Sequence, residues 1–256
     1  MQKERRAMIR EYIEFHGEAT IAVLLALVGD CSSMTLWRDL NALEKEGFLR
    51  RTRGGAVSMS SIQPGVEGVY SRRAHENIEQ KRLIARAALD FVKPGLSIYM
   101  DAGSTIMGLA KMLGNHHYTI ITSGANTAIE LTKNRNCNVI MVGGQISGNT
   151  LSCSGPQAQA VLNTVNIDTA VMATSGFSLA TGFTSGMTSE HELKKKVIQK
   201  AQRTIMLMDH SKIGRTLPFT FAALADIDVL VTDRSLPPDI AGAAQSAGVE
   251  IILSKA

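Results

Sequence analysis

Apolar positions along the chain fall into two rhythms. Near the N-terminus they recur at helical spacing in short segments, and from about residue 96 compact apolar runs alternate with helical stretches. In the first region Thr20 is placed to N-cap a short helix through Ala22, Leu24, Leu25 and Leu27. Gly29-Asp30 then turns the chain into a second cap at Ser32 or Ser33. On the helix that follows, Leu36, Leu40 and Leu43 share one stripe, while Met34, Arg38, Asn41 and Lys45 fall near the opposite side at about 100° per residue. One face packs and the other is free to enter a DNA groove. Gly47 stands where a C′ glycine ends a helix, and Phe48-Leu49 followed by Arg50, Arg51, Arg53 and Gly54-Gly55 reads as a small β-wing. Arginines there suit phosphates or a minor groove. The region predicts a winged helix-turn-helix.

The second rhythm predicts a different architecture. Leu96–Met100, Thr119–Thr122, Val139–Val142, Thr169–Ala173, Ile205–Met208, Val229–Val231 and Glu250–Leu253 read as buried strands. Helices are expected at Ile78–Phe91, Thr105–Leu113, Ala125–Thr132, Ser189–Ala201 and Pro237–Ala247. That alternation implies an α/β domain with a mainly parallel sheet covered on both faces, and a ligand crevice beyond the carboxyl ends of the strands. The candidate loops are Asp101-Ala102-Gly103-Ser104-Thr105, Thr122-Ser123-Gly124, Gly143-Gly144-Gln145, Thr174-Ser175-Gly176 and Asp209-His210-Ser211-Lys212. Hydroxyls, carboxylates and helix-opening N–H groups of this kind suit a phosphate or sugar hydroxyls. A Ser-, Gly- and Pro-rich stretch from Ser58 to Gly68 marks the boundary. The expected domains are residues 1–57, a linker over 58–74, and residues 75–256.

Composition narrows the alternatives. Over 256 residues, 45% apolar and 20% charged, the chain can bury a large core, and a net charge of only +4 means that DNA affinity must come from local clusters such as Arg5-Arg6 and Arg50–Arg53. Cys31, Cys137 and Cys153 are widely spaced and show no metal-ligand pattern, which suggests reduced thiols in a cytosol. His75, His116-His117 and His191 lack partner spacing, so no metal or cofactor is expected. No uninterrupted apolar run reaches about 18 residues, so no membrane span is indicated.

The N-terminal motif resembles the DeoR family of bacterial transcriptional regulators, through Ser32, Thr35, Leu36, Arg38, Asp39, Leu40, Leu43, Gly47, Arg51, Gly54, Gly55 and Ala56. The resemblance runs essentially end to end. It implies DNA contacts from Ser33, Met34, Thr35, Trp37, Arg38, Asn41, Arg51, Arg53 and Gly54. It also implies a Rossmann-like effector domain resembling ribose phosphate isomerases, with effector residues Asp101, Gly103, Ser104, Thr105, Thr122, Ser123, Gly143, Gly144, Glu190, Lys194, Asp209, Ser211 and Lys212. Within Lys194-Lys195-Lys196, position selects Lys194. Two residues depart from the family pattern. Trp37 replaces an arginine and is expected to pack its ring, and Ser123 replaces an asparagine, removing an amide suited to sugar hydroxyls. The implied protein is a cytoplasmic homo-oligomer, dimer or tetramer, that represses a sugar-catabolism operon and is released from double-stranded operator DNA by a phosphorylated sugar. The alternative is a sugar-phosphate isomerase using Asp101 or Asp209 as base beside Lys212.

Overall fold

A computed structural model describes residues 2–29, 31–59 and 67–255. The chain divides into two compact units, residues 1–73 and 74–256. Asp30 of the expected turn and residues 60–66 of the expected linker lie outside the described residues.

In the first unit α1 (Gln2–His16), α2 (Ile21–Val28) and α3 (Ser33–Lys45) pack with a three-stranded sheet ordered β1-β3-β2, formed by Glu18–Thr20 (β1), Leu49–Thr52 (β2) and Gly55–Ser58 (β3). Local chemistry sets the helix ends. The Thr20 hydroxyl accepts from Val23 N–H, the Ser32 hydroxyl from Thr35 N–H, and Gly47 turns the chain at φ 78° after α3. The core is Ile9, Ile13, Leu24, Leu36, Leu40, Leu43 and Leu49. Gly55 is obligatory for the wing, because a Cβ there would stand 1.9 Å from the Ala19 carbonyl oxygen on β1. Sequence reading did not anticipate α1 or β1. Ile9 and Ile13, one turn apart, are the residues that α1 buries, in a helix rich in charge, and β1 is three residues long.

The second unit opens with α4 (Tyr70–His75), which spans the division along the chain, and α5 (Ile78–Ala88). Its centre is a seven-stranded, wholly parallel sheet in the order β15-β14-β12-β9-β4-β5-β6. The strands are β4 (Ser97–Met100), β5 (Tyr118–Thr122), β6 (Cys137–Met141), β9 (Ile167–Ala173), β12 (Ala201–Leu207), β14 (Val229–Thr232) and β15 (Glu250–Leu253). The helices joining them are α6 (Ser104–Met112), α7 (Ala125–Leu131), α8 (Pro156–Thr164), α9 (Thr188–Lys200) and α10 (Pro238–Ser246). Alternation along each strand sends side chains to opposite faces. Tyr99, Ile121, Ala170, Met172, Met206 and Leu230 pack on one side with residues of α8, α9 and α10, while Ile98, Met100, Ile120, Val171, Ile205 and Val229 pack on the other with residues of α5 and α6.

The expected strands and helices are present with ends shifted by a few residues. The largest differences are β12, which begins at Ala201 rather than Ile205, and the helix expected through Phe91, which gives way to a 3-10 turn at Leu89–Phe91. Four features of this region were not expected: α4, which falls largely within the expected linker, α8, the antiparallel sheet β10-β11-β13 (Gly176–Ser178, Gly182–Ser185, Phe219–Ala222), and the hairpin β7-β8 (Gln145–Ile146, Cys153–Ser154). Their short strands carry no extended apolar run.

Candidate functional sites

In the first unit, the α3 face that carries Ser33, Met34 and Arg38 is exposed, Met34 at 74%, while Thr35, Trp37 and Asn41 are half-buried. Trp37 lies against the core and does not project freely from it. Arg50, Arg51, Arg53 and Gly54 are exposed on the wing. Arg51 is also committed inward: its backbone N–H and Nε donate to the two carboxylate oxygens of Glu44 at 2.9 and 2.6 Å, bracing wing to helix. Those bonds hold the Glu44 carboxyl below its ordinary pKa, the backbone donor contributing most.

Asp39 went unnoticed as a structural residue. It is 1% exposed on α3, and its oxygens accept from Arg5 Nε at 2.6 Å and Arg6 Nε at 2.9 Å. Burial raises its pKa, but the hydrogen bonds and charges of Arg5 and Arg6 together outweigh burial and leave it lowered. Both guanidiniums of Arg5-Arg6, the pair expected from the sequence to add to DNA affinity, thus also fasten α1 to α3. Nothing in the helical pattern reveals this, because an Asp beside an Arg on α3 looks solvated.

In the second unit the connections run outward from β4 through β5 to β6, then return to the other side of β4 at β9 and proceed to β12, β14 and β15. The reversal therefore falls between β4 and β9, where an open α/β sheet leaves a crevice at its carboxyl edge. Asp101 follows β4 there, 1% exposed. Its carboxylate accepts from Ala102 N–H at 2.8 Å and, across the reversal, from Ala173 N–H at 3.1 Å at the end of β9. Lys194, reaching in from α9 and also buried, donates to Asp101 Oδ2 and, at 3.0 Å, to the Ala173 carbonyl. Of its two lysine neighbours, Lys195 is exposed and Lys196 donates to the Gln159 carbonyl. α6 starts directly after this loop, with Gly103 at φ 153°, half-buried Ser104 and buried Thr105.

A turn earlier on α9, Glu190 is 4% exposed and accepts from the Thr150 hydroxyl at 2.5 Å, a partner absent from the sequence reading. The loop bearing Thr150 is pinned over the strand ends: Ala125 N–H donates to the Leu151 carbonyl and Cys153 N–H to that of Ser123. After β12, Asp209 Oδ1 accepts from Ser211 N–H, from the Ser211 hydroxyl and from Asn77 Nδ2, while Lys212 Nζ lies 3.8 Å from Asp209 Oδ2.

Other expected effector residues turn inward. Thr122 and Ser123 are fully buried; the Thr122 hydroxyl accepts from Gly124 N–H, and the Ser123 hydroxyl accepts from Tyr99 OH at 2.9 Å. Burial, reinforced by the Asp101 charge, pushes the Tyr99 pKa well above its ordinary value, so Tyr99 stays a neutral donor. Ser123 thus belongs to the floor beneath the crevice. Gly143 and Gly144 take φ 71° and 93°, and a Cβ on Gly144 would meet the Ser154 carbonyl oxygen at 2.3 Å, so Gly144 seats the chain against β8. The structure therefore brings together Asp101 with Lys194, Glu190 with Thr150, and Asp209 with Ser211 and Lys212.

Residues 5–62 match the model of the DeoR-like helix-turn-helix domain and residues 76–234 that of the DeoR C-terminal sensor domain. The chain belongs to the DeoR family. As such it is a DNA-binding transcriptional regulator. Over 253 residues it is 32% identical to the HTH-type transcriptional regulator GolR of Listeria innocua, covering 98% of each chain. It is 30% identical to the putative aga operon transcriptional repressor of Escherichia coli O157:H7, covering 98% of this chain and 93% of the relative. It is also 30% identical to the L-fucose operon activator of Haemophilus influenzae, covering 92% and 94%. Among solved structures, ribose 5-phosphate isomerase A of Methanocaldococcus jannaschii aligns over 54% of this chain and 55% of its own, with 19% identity and a TM-score of 0.41. Among the described residues, no single helix is long and apolar enough to cross a membrane.

Proposed function

We propose that this DeoR-family protein is a repressor of a sugar-catabolism operon, and that a phosphorylated sugar bound at the carboxyl edge of the β4–β9 reversal releases it from its operator. The observation that carries the reading is the pairing of buried Lys194 with Asp101 at that reversal, beside the helix-opening Ser104 and Thr105 and one strand from Lys212. Buried cations beside hydroxyls and helix N–H groups suit an anion bearing hydroxyl groups. The proposed effector residues are Asp101, Gly103, Ser104, Thr105, Glu190, Lys194, Asp209, Ser211 and Lys212, with Thr122, Ser123, Gly143 and Gly144 supporting them from beneath. Ser33, Met34, Thr35, Arg38 and Asn41 read the operator, with Arg53 and Gly54 on its backbone; Trp37 and Arg51 position this surface.

The working assembly is a homo-oligomer, because two half-sites on DNA accept only one spacing of recognition helices and an effector that alters the spacing lowers affinity. No sugar-phosphate turnover is expected: Asp101 already serves two N–H groups and an ammonium, which suits anchoring better than proton transfer. Thermal melting against sugar phosphates and the corresponding free sugars tests the reading. A midpoint raised by one phosphorylated sugar, together with loss of DNA retention in its presence, supports it. Unchanged melting with every sugar phosphate, or turnover of one, refutes it.

A further inference from the structure

Asn77 is in an unusual state. It occupies the N-cap position of α5, where an asparagine side chain ordinarily accepts from the helix's first N–H groups, yet it makes no such bond, and its backbone is left-handed at φ 52°. Its amide is used elsewhere. Nδ2 donates to Asp209 Oδ1 at 3.2 Å and to Ser211 Oγ at 3.1 Å, 132 and 134 residues along the chain. The bend is also gripped from behind, since Lys81, 5% exposed, donates Nζ to the Glu76 carbonyl at 2.7 Å and Lys81 N–H donates to the Asn77 carbonyl at 3.0 Å. A residue held in a sparsely populated conformation by distant partners stays there only while those partners remain in place.

We propose that Asn77 is a positioning residue that reports the state of the Asp209–Lys212 loop to the segment leading out of the second unit. Ala74, the first residue of that unit, is three positions away, and α4 crosses the division immediately before. When an anion draws the Ser211 hydroxyl and Lys212 toward itself, Nδ2 loses an acceptor, the left-handed bend loses its support, and residues 74–77 relax. In the ligand-free state the same bonds hold both the loop and the bend. The proposal rests on the reading of residues 209–212 as part of the effector site, but the contact itself is testable without an effector.

The test is hydrogen–deuterium exchange on the full chain. Loss of one such hydrogen bond changes a local opening equilibrium by about fivefold. Ser211→Ala should therefore speed exchange at residues 77–82 by about that factor, and Asn77→Gly should reciprocally speed exchange at residues 210–214. Glycine adopts the left-handed backbone without steric strain but has no amide to donate, so a purely conformational role predicts that Asn77→Gly behaves like wild type while Asn77→Ala does not; that result overturns the proposal. Inorganic phosphate added to wild type supplies the second arm. Protection at 209–212 with faster exchange at 74–82, lost in Asn77→Gly, is the expected result, and protection at 209–212 with no response at 74–82 overturns the proposal. If phosphate and sugar phosphates leave 209–212 unprotected, the effector reading fails, and the two substitutions still decide whether Asn77 couples loop to bend.

Discussion

Replacing Lys194 with methionine isolates the centre of the sensor unit. Methionine approximates the lysine stem and removes the ammonium, leaving the buried Asp101 carboxylate with the Ala102 and Ala173 N–H groups as its donors. Removing one member of a buried ion pair costs about 3–5 kcal/mol. The two remaining N–H donors offset part of that, which places the expected loss at about 2–4 kcal/mol. For a unit of this size each kcal/mol corresponds to about 2–4 °C in midpoint, so the melting transition of residues 74–256 should fall by roughly 4–16 °C. Calorimetry on the full chain measures it. Adding Asp101→Asn removes the stranded charge and should recover at least half of the loss, a coupling read from the double-mutant cycle. If Lys194→Met costs under about 1 kcal/mol, or if Asp101→Asn and Lys194→Met simply add, the pair is not the electrostatic centre described, and the assignment of the effector site to the β4–β9 reversal falls with it.

Three further outcomes follow from other parts of the molecule. Arg38→Ala and Arg53→Ala should each weaken operator binding; where the lost contact is to a phosphate, the slope of log affinity against log salt should shrink by about 0.9, measured by fluorescence anisotropy at several salt concentrations. Because the folded pKa of Asp39 is lowered, its stabilisation is fully present above the unfolded carboxylate value of about 3.9 and is lost as pH falls through the lower folded value. Asp39→Asn should therefore lower the melting point of residues 1–73 at pH 7 and flatten its decline in acid, and an unchanged acid slope counts against the Arg5–Asp39–Arg6 clamp. Gly143→Ala and Gly144→Ala both force a side chain into positive φ, at about 1–2 kcal/mol. Only the second meets the Ser154 backbone, so it should be the more destabilising in urea unfolding, and equal effects would refute the packing argument.

What was legible in the sequence was what repeats or caps. Leu36, Leu40 and Leu43 at helical spacing, the hydroxyls of Thr20 and Ser32, and the apolar runs of β4, β5, β9 and β14 all act through neighbours a few residues away. Their consequences can be read from local order. The carboxyl-edge loops were legible for a topological reason, since a parallel sheet collects its strand ends whatever their distance in the chain. Pairings over long separations were not legible. Asp39 with Arg5, Thr150 with Glu190, and Asn77 with Asp209 span 34, 40 and 132 residues, and none of these side chains belongs to a periodic pattern. Ser123 differs: its position in a glycine- and hydroxyl-rich loop suggested a ligand contact, and the structure shows its buried hydroxyl accepting from Tyr99, a partner 24 residues away.

Helix α3, the proposed operator reader, separates what holds it from what it presents. Leu36, Asp39, Leu40 and Leu43 anchor it, while Ser33, Met34 and Arg38 face outward, with few obligations to the fold. Surface substitutions of this kind usually change stability by no more than about 0.5 kcal/mol. Such a helix can drift to a new DNA sequence one exposed residue at a time without passing through an unfolded intermediate. Gene duplicates could then part company in the promoters they serve before their scaffolds diverge, and a designer could graft a different reading face onto the same frame.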